Sequence, residues 1–130
     1  NNGDDVAYYL KKADRVVAIE ANPALAEHIK SRFPAEFRSG KLVVLNLAVG
    51  SEAGRARFFL AVDNDKISTL GRPVESRSHF KEIEVDVRTL SGVVKEYGEA
   101  VFIKVDIEGV DAEVLHEILP CMLRGLPSVA

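Results

Sequence analysis

Three groups of residues have types and spacings that could do chemistry. Gly3 precedes Asp4-Asp5-Val6 at the start of an amphipathic stretch, and a glycine at such a turn lets a ligand approach the backbone. Taken alone, Gly3 also reads as a plain turn residue. Glu20 stands 17 residues further on, closing the apolar run Val16-Val17-Ala18-Ile19. A carboxylate there can accept both hydroxyls of a ribose, and dinucleotide-binding folds place an acid about 20 residues after their glycine turn for that purpose. Glycine and acid together point to a nucleoside, against the plainer reading of Glu20 as a solvated acid at a strand end. The third group is Lys104-Val105-Asp106-Ile107-Glu108-Gly109. On an extended strand Lys104, Asp106 and Glu108 share one face, and three charges ending an apolar run are costly to bury unless paired. A functional cluster at the carboxyl end of a strand explains them better than a chance salt bridge.

The acids after Gly3 bear on which nucleoside. A pyrophosphate sits on the N-terminus of this helix in dinucleotide folds, and Asp4 and Asp5 would repel it. A cofactor with a cationic head would be attracted, which favours S-adenosylmethionine over a nicotinamide dinucleotide. Other candidates carry less. His28 falls on the polar side of its helix, His79 lies in a polar stretch, and His116 has no partner at metal-ligand spacing. No His/Cys/acid set has the spacing of a zinc site, and no serine has a nucleophile-elbow context.

The elements that must position these groups follow from hydrophobic spacing. Val6, Tyr9, Leu10 and Ala13 mark one face of a first helix, with Asp4 and Asp5 at the positive end of its dipole. Arg15 to Glu20 reads as a buried parallel strand. Asn22-Pro23 supplies an N-cap and an N1 proline for a second helix with a Leu25, Ile29 and Phe33 stripe. Leu42 to Val49 reads as one further buried strand, closed by Gly50. The middle changes character: Ala56, Phe58, Leu60 and Val62 alternate with Arg57, Phe59 and Ala61, and Ile83, Val85 and Val87 with Glu84, Asp86 and Arg88, as in an antiparallel pair of half-exposed strands. The polar stretch from Asp63 to His79 reads as a loop. Leu90, Val93, Val94 and Tyr97 then give a short helix, Ala100 to Asp106 a buried strand, and Val114, Leu115, Ile118 and Leu119 a last helix that Pro120 should end or kink. Leu126 to Ala130 reads as the start of another strand. The alternation of helix and strand predicts an α/β domain.

Composition sets the outer bounds. The 130 residues are 47% hydrophobic and 28% charged, which excludes a disordered chain. No apolar run reaches the ~18 residues of a membrane-spanning helix. With 17 Lys+Arg against 20 Asp+Glu, the net charge of −3 offers no basic footprint for nucleic acid. The single cysteine, Cys121, cannot form an internal disulfide. The opening residues lack the features of a signal peptide, and the expectation is a cytoplasmic protein.

Four segments occur in an order that resembles one family. They are Asn1-Asn2-Gly3-Asp4, Val17-Ala18-Ile19-Glu20-Ala21-Asn22-Pro23, Asn46-Leu47-Ala48-Val49-Gly50 and Phe102-Ile103-Lys104-Val105-Asp106-Ile107-Glu108-Gly109. Together they look like the FkbM-type S-adenosylmethionine-dependent methyltransferases, and the Lys-x-Asp-x-Glu-Gly element is the most specific of them. Two departures stand out. Asp111 replaces the usual glutamate two residues past the glycine of that element, and only Asn1 and Gly3 remain of the family's Asp-x-Gly-x-Asn turn.

The resemblance implies a Rossmann-like class I methyltransferase fold, a mostly parallel sheet with helices on both faces. It also implies that residues 1–130 are the central part of one methyltransferase domain, with the first and last strands absent. The reaction implied is methyl transfer from S-adenosylmethionine to a hydroxyl oxygen of a sugar or small natural product, without metal, nucleic acid or membrane. The cofactor-binding set carried over is Asn1, Gly3, Glu20, Asn22, Asn46, Ala48 and Asp106. Within it Gly3 lines the methionine end, Glu20 holds the ribose, Asn46 to Ala48 lie near the adenine, and Asp106 faces the sulfonium. Asp106 and Glu108 are the candidate catalytic groups, as proton acceptor or substrate-orienting residue. For Glu108 a structural role, pairing with Lys104 or capping the next helix, stays open. Two other readings also remain: an NAD(P)-dependent Rossmann-fold oxidoreductase, and a non-catalytic nucleoside-binding α/β module.

Overall fold

A computed structural model describes residues 3–62, 79–98, 100–105, 111–122 and 128–129. The elements run α1 (Asp4–Leu10), β1 (Val16–Ile19), α2 (Pro23–Arg32), α3 (Pro34–Ser39), β2 (Leu42–Leu45), β3 (Ala48–Val49), β4 (Gly54–Ala61), β5 (Phe80–Arg88), α4 (Leu90–Tyr97), β6 (Phe102–Ile103), α5 (Asp111–Met122) and β7 (Ser128–Val129). The architecture is mixed α/β, with small sheets, and the chain divides into two compact units, Asn1–Leu47 and Ala48–Ala130.

In the first unit β1 and β2 pair in parallel, from Val16 opposite Leu42 to Ile19 opposite Leu45. Their apolar side chains pack with the helices in one core of Val6, Leu10, Ala26, Ile29, Leu42 and Val44, with Val16, Ala18 and Phe33 partly buried against it. The first helix is shorter than its spacing predicts. It ends at Leu10, with Lys11 as C-cap, and Ala13 falls beyond it. The second helix begins as read, Asn22 capping it and Pro23 in its first turn. Its buried face is Ala26 and Ile29, with Leu25 and Phe33 only half-buried. Pro34 explains its end. A proline has no N–H to give and disfavours helical backbone in the residue before it. Phe33 accordingly leaves the helix at φ −126°, ψ 59°, and α3 restarts with Pro34 at its own N-terminus. That second start is absent from the sequence reading.

The strand expected over Leu42 to Val49 is instead two strands, with Asn46 and Leu47 between them. Asparagine fits a pleated strand poorly because its amide competes for backbone partners. Here the Asn46 Nδ2 donates to the carbonyls of Glu20 and Ala21, at 2.9 and 3.2 Å. The chain past that point pairs with a different strand, β5.

In the second unit β5 is flanked by β3 in parallel and β4 antiparallel. The antiparallel ladder runs from Gly54 opposite Val87 to Ala61 opposite Phe80, the pair foreseen from the alternation. Phe58, Val85 and Val87 are buried on one face. The other face carries a charge ladder: Arg55 Nε lies 2.8 Å from Glu84 Oε1 and 3.3 Å from Asp86 Oδ1, and Arg57 Nη1 lies 3.7 Å from Glu82 Oε1. Alternation fails at the end of β4, where Ala61 is buried and Val62, just past the strand, is 65% exposed. The stretch from 63 to 78 read as a loop lies outside the described residues.

Thr89 caps α4 by accepting the Gly92 N–H at 3.1 Å. Glu117 on α5 accepts the Ser91 N–H at 3.2 Å and also the Ser91 hydroxyl, tying the start of α4 to the neighbouring helix. Arg88, at the end of β5, pairs with Glu96 on α4. Hydrogen bonding to that guanidinium holds the Glu96 carboxyl below its ordinary range. Val114 and Ile118 are fully buried, as their spacing predicts, but Leu119 is largely exposed. Pro120 does not end α5; the helix continues to Met122, leaving the proline in its last turn.

Of the strand expected over Ala100 to Asp106, the described residues, which stop at 105, form β6; Phe102 in it is 43% exposed, Ile103 is half-buried, and Val101 just before it is 91% exposed. A parallel strand is buried by neighbours on both sides and helices on both faces. Among the described residues β6 pairs with β7 alone, Phe102 opposite Ser128 and Ile103 opposite Val129. The strand foreseen at the far end of the chain is thus β7.

Candidate functional site

The best-defined candidate group sits where β1 and β2 end. Glu20 follows β1 directly, its N–H donating to the Leu45 carbonyl at 3.0 Å, so the parallel ladder carries on to it. Its half-buried carboxylate accepts the Asn22 backbone N–H at Oε1, at 2.8 Å. Asn22 is itself 6% exposed, the one buried polar side chain among the described residues, and its Oδ1 accepts the Ala24 N–H at 3.0 Å to cap α2. A buried polar group needs such partners. Asn46 completes the group, its amide holding the carbonyls of Glu20 and Ala21. Two carbonyl oxygens require a donor, so the hydrogen-bond network itself orients the amide nitrogen toward them.

Gly3 caps α1 with φ +85° and is buried. A Cβ there would lie 3.4 Å from Ile29 Cγ1 and 3.7 Å from Phe33 Cε2, ordinary contact distances. Glycine is required by the left-handed backbone rather than by lack of space. Asp4 next to it pairs with Arg32, Nη1 to Oδ1 at 2.8 Å. That pair alters the charge argument made from the sequence, because the Asp4 carboxylate is already met by a cation. Arg32 escaped the sequence reading, since nothing in local spacing marks an ion pair spanning 28 positions.

The structure thus brings Glu20, Asn22 and Asn46 together at one strand end. Ala48 belongs to the other unit, buried in β3 opposite Val87. Asn1, Asp106 and Glu108 lie outside the described residues, and Lys104 is exposed just past β6. His28, His79 and His116 are exposed. No group of three or more His, Cys, Asp or Glu among the described residues could hold a metal ion, and no described helix is long and apolar enough to cross a membrane. The Glu20 group fits a nucleoside cofactor by its chemistry. A carboxylate offers about four acceptor positions, more than the Asn22 N–H takes up by itself, and ribose hydroxyls are donors suited to such a group.

A family profile described as the methyltransferase FkbM domain matches residues 1–126, and the chain belongs to the FkbM methyltransferase family. Its fold is similar to that of a crystal structure of methyltransferase FkbM from Methylobacillus flagellatus KT, with a TM-score of 0.64 and 18% identity. The similarity covers 98% of this chain and 29% of that one, so the chain spans under a third of that protein's length. At this identity the likeness speaks for the fold. No curated protein matches the sequence. Family membership does not favour the oxidoreductase reading.

Proposed function

We propose that the chain forms part of an S-adenosylmethionine-dependent O-methyltransferase with a class I, Rossmann-like fold, acting on a hydroxyl of a sugar or small natural product. The observation that carries this is the family match over residues 1–126 together with a held carboxylate, Glu20, at the carboxyl end of a parallel strand. Ligands of open α/β sheets bind at the carboxyl ends of strands, which supports Glu20 as the ribose-binding group. Gly3 and Asn1 would line the methionine end and Ala48 belongs to the same binding set, which Asn22 and Asn46 serve through Glu20, by the Asn22 N–H on its carboxylate and the Asn46 amide on its carbonyl. Asp106 belongs to that set too, and with Glu108 it is the candidate to take the acceptor's proton or orient that hydroxyl. When bound, the cofactor supplies an activated methyl group on sulfur. The protein's remaining task is to align the acceptor oxygen and receive its proton.

Calorimetric titration of the full-length protein with S-adenosylhomocysteine tests the reading. Binding is expected, and its absence would overturn it. Methyl transfer to hydroxyl acceptors then separates an active enzyme from a module that binds a nucleoside without turning it over.

A further inference from the structure

We infer that Asn46 is a positioning residue that acts through Glu20. The inference deepens the reading above and rests on Glu20 as the ribose-binding carboxylate. Three observations carry it. Both ends of the Glu20 backbone are tied to the end of β2, the N–H to the Leu45 carbonyl at 3.0 Å and the carbonyl to Asn46 Nδ2 at 2.9 Å. The same amide also holds the Ala21 carbonyl at 3.2 Å, so the turn leaving β1 is fixed at two successive residues. With that turn fixed, the next N–H, that of Asn22, points back onto Glu20 Oε1 at 2.8 Å. Asn22 is anchored from the far side, buried and capping α2 through Oδ1.

The Glu20 carboxylate therefore has its orientation set before any ligand arrives. Preorganised groups bind more tightly because less freedom is lost on binding. Asn46 is exposed, so its conformation owes more to these two hydrogen bonds than to packing. An aspartate of the same shape would turn acceptor oxygens toward two carbonyls and release the turn. Alanine would release it without adding a charge.

The test has two arms, both on the full-length protein. The first needs no ligand: the amide proton of Asn22 is followed by NMR as pH is lowered. In the wild type its shift should track protonation of Glu20, and Glu20→Gln should abolish that response. Asn46→Ala and Asn46→Asp should reduce it markedly while shifts in β2 stay native. An unchanged Asn22 response in Asn46→Ala overturns the inference.

The second arm is calorimetry with S-adenosylhomocysteine and its 2′-deoxy analogue. Asn46→Ala should weaken binding of the former by about 3- to 10-fold, the range for loss of a neutral hydrogen-bonded contact. It should also narrow the preference for the ribose over the 2′-deoxyribose form. In a Glu20→Gln background the Asn46 substitution should add little further loss. Fully additive losses would mean that Asn46 touches the ligand on its own account, and would also overturn the inference. If the wild type binds neither compound, the methyltransferase reading fails, while the NMR arm still decides the role of Asn46.

Discussion

The backbone N–H of Asn22 donates to the carboxylate of Glu20 at 2.8 Å, so the acid singled out as a ribose acceptor is held by the cap of the following helix. The bond comes from the main chain, and changing the Asn22 side chain leaves the donor in place. The two residues can therefore be tested separately. Glu20→Ala should weaken S-adenosylhomocysteine binding by roughly 1–3 kcal/mol, the worth of hydrogen bonds to a charged group. Asn22→Ala should instead lower stability by about 1 kcal/mol through loss of the cap. Calorimetry and denaturant unfolding on the same pair of variants read the two effects.

Gly3 adopts φ +85° with room for a methyl group. Gly3→Ala is expected to destabilise by about 1–2 kcal/mol, the cost of left-handed backbone for an L-residue. Gly3→Asn should cost less, since asparagine tolerates that region better. Equal losses in urea unfolding of the two variants would point to a steric cause rather than a backbone one.

Gly50 is the opposite case. Its backbone is ordinary, but a Cβ would come within 2.9 Å of Val87 Cγ1 in the buried face of β5. Gly50→Ala should destabilise by about 1–3 kcal/mol through overpacking. Combined with Val87→Ala, the loss should fall short of the sum of the two single changes, because the shortened side chain makes the space. A double-mutant cycle by chemical denaturation gives the coupling directly.

Glu96 supplies a pH dependence of definite sign. The hydrogen bond from Arg88 lowers its folded-state pKa below the ordinary 4.5, more than slight burial raises it. A carboxylate depressed on folding contributes stability that is complete above its unfolded pKa. That contribution disappears as pH falls from there through the folded value. Acid unfolding of Glu96→Gln should lack this part of the slope. About 1 M salt should shrink the difference from wild type, since the pair is solvent-exposed.

How much was readable depended on whether the cause was local. The start of α2 follows from the Asn22-Pro23 cap and the Leu90-to-Tyr97 helix from apolar spacing, both within a few residues, and both appear as read, though the Thr89 cap of α4 went unread. The alternation of Phe58 and of Val85 with Val87 revealed the antiparallel pair, because period two is imposed by the strand itself. Failures came where a partner elsewhere decides. The division of Leu42 to Val49 depends on Asn46 reaching carbonyls 25 and 26 positions away. Likewise the apolar run around Phe102 reads as buried, yet burial depends on which strands flank it. At the site, Glu20 could be nominated from its place after an apolar run. Nothing in the spacing said which donors would hold its carboxylate.

The charge ladder on the hairpin has a bearing beyond the pairs themselves. Exposed ion pairs of this kind each contribute only about 0–1 kcal/mol to folding, so stability is a weak account of five charged side chains on one face. Among the described residues β4 is an outer strand, bonded to β5 on one side. An outer strand is a template onto which another copy can pair. A second β4 laid alongside would bring arginines of both copies to the same seam, with the acids that neutralise Arg55 and Arg57 one strand away on β5. The alternation that keeps Phe58 inside thus also leaves this edge chemically unwelcoming to its own kind.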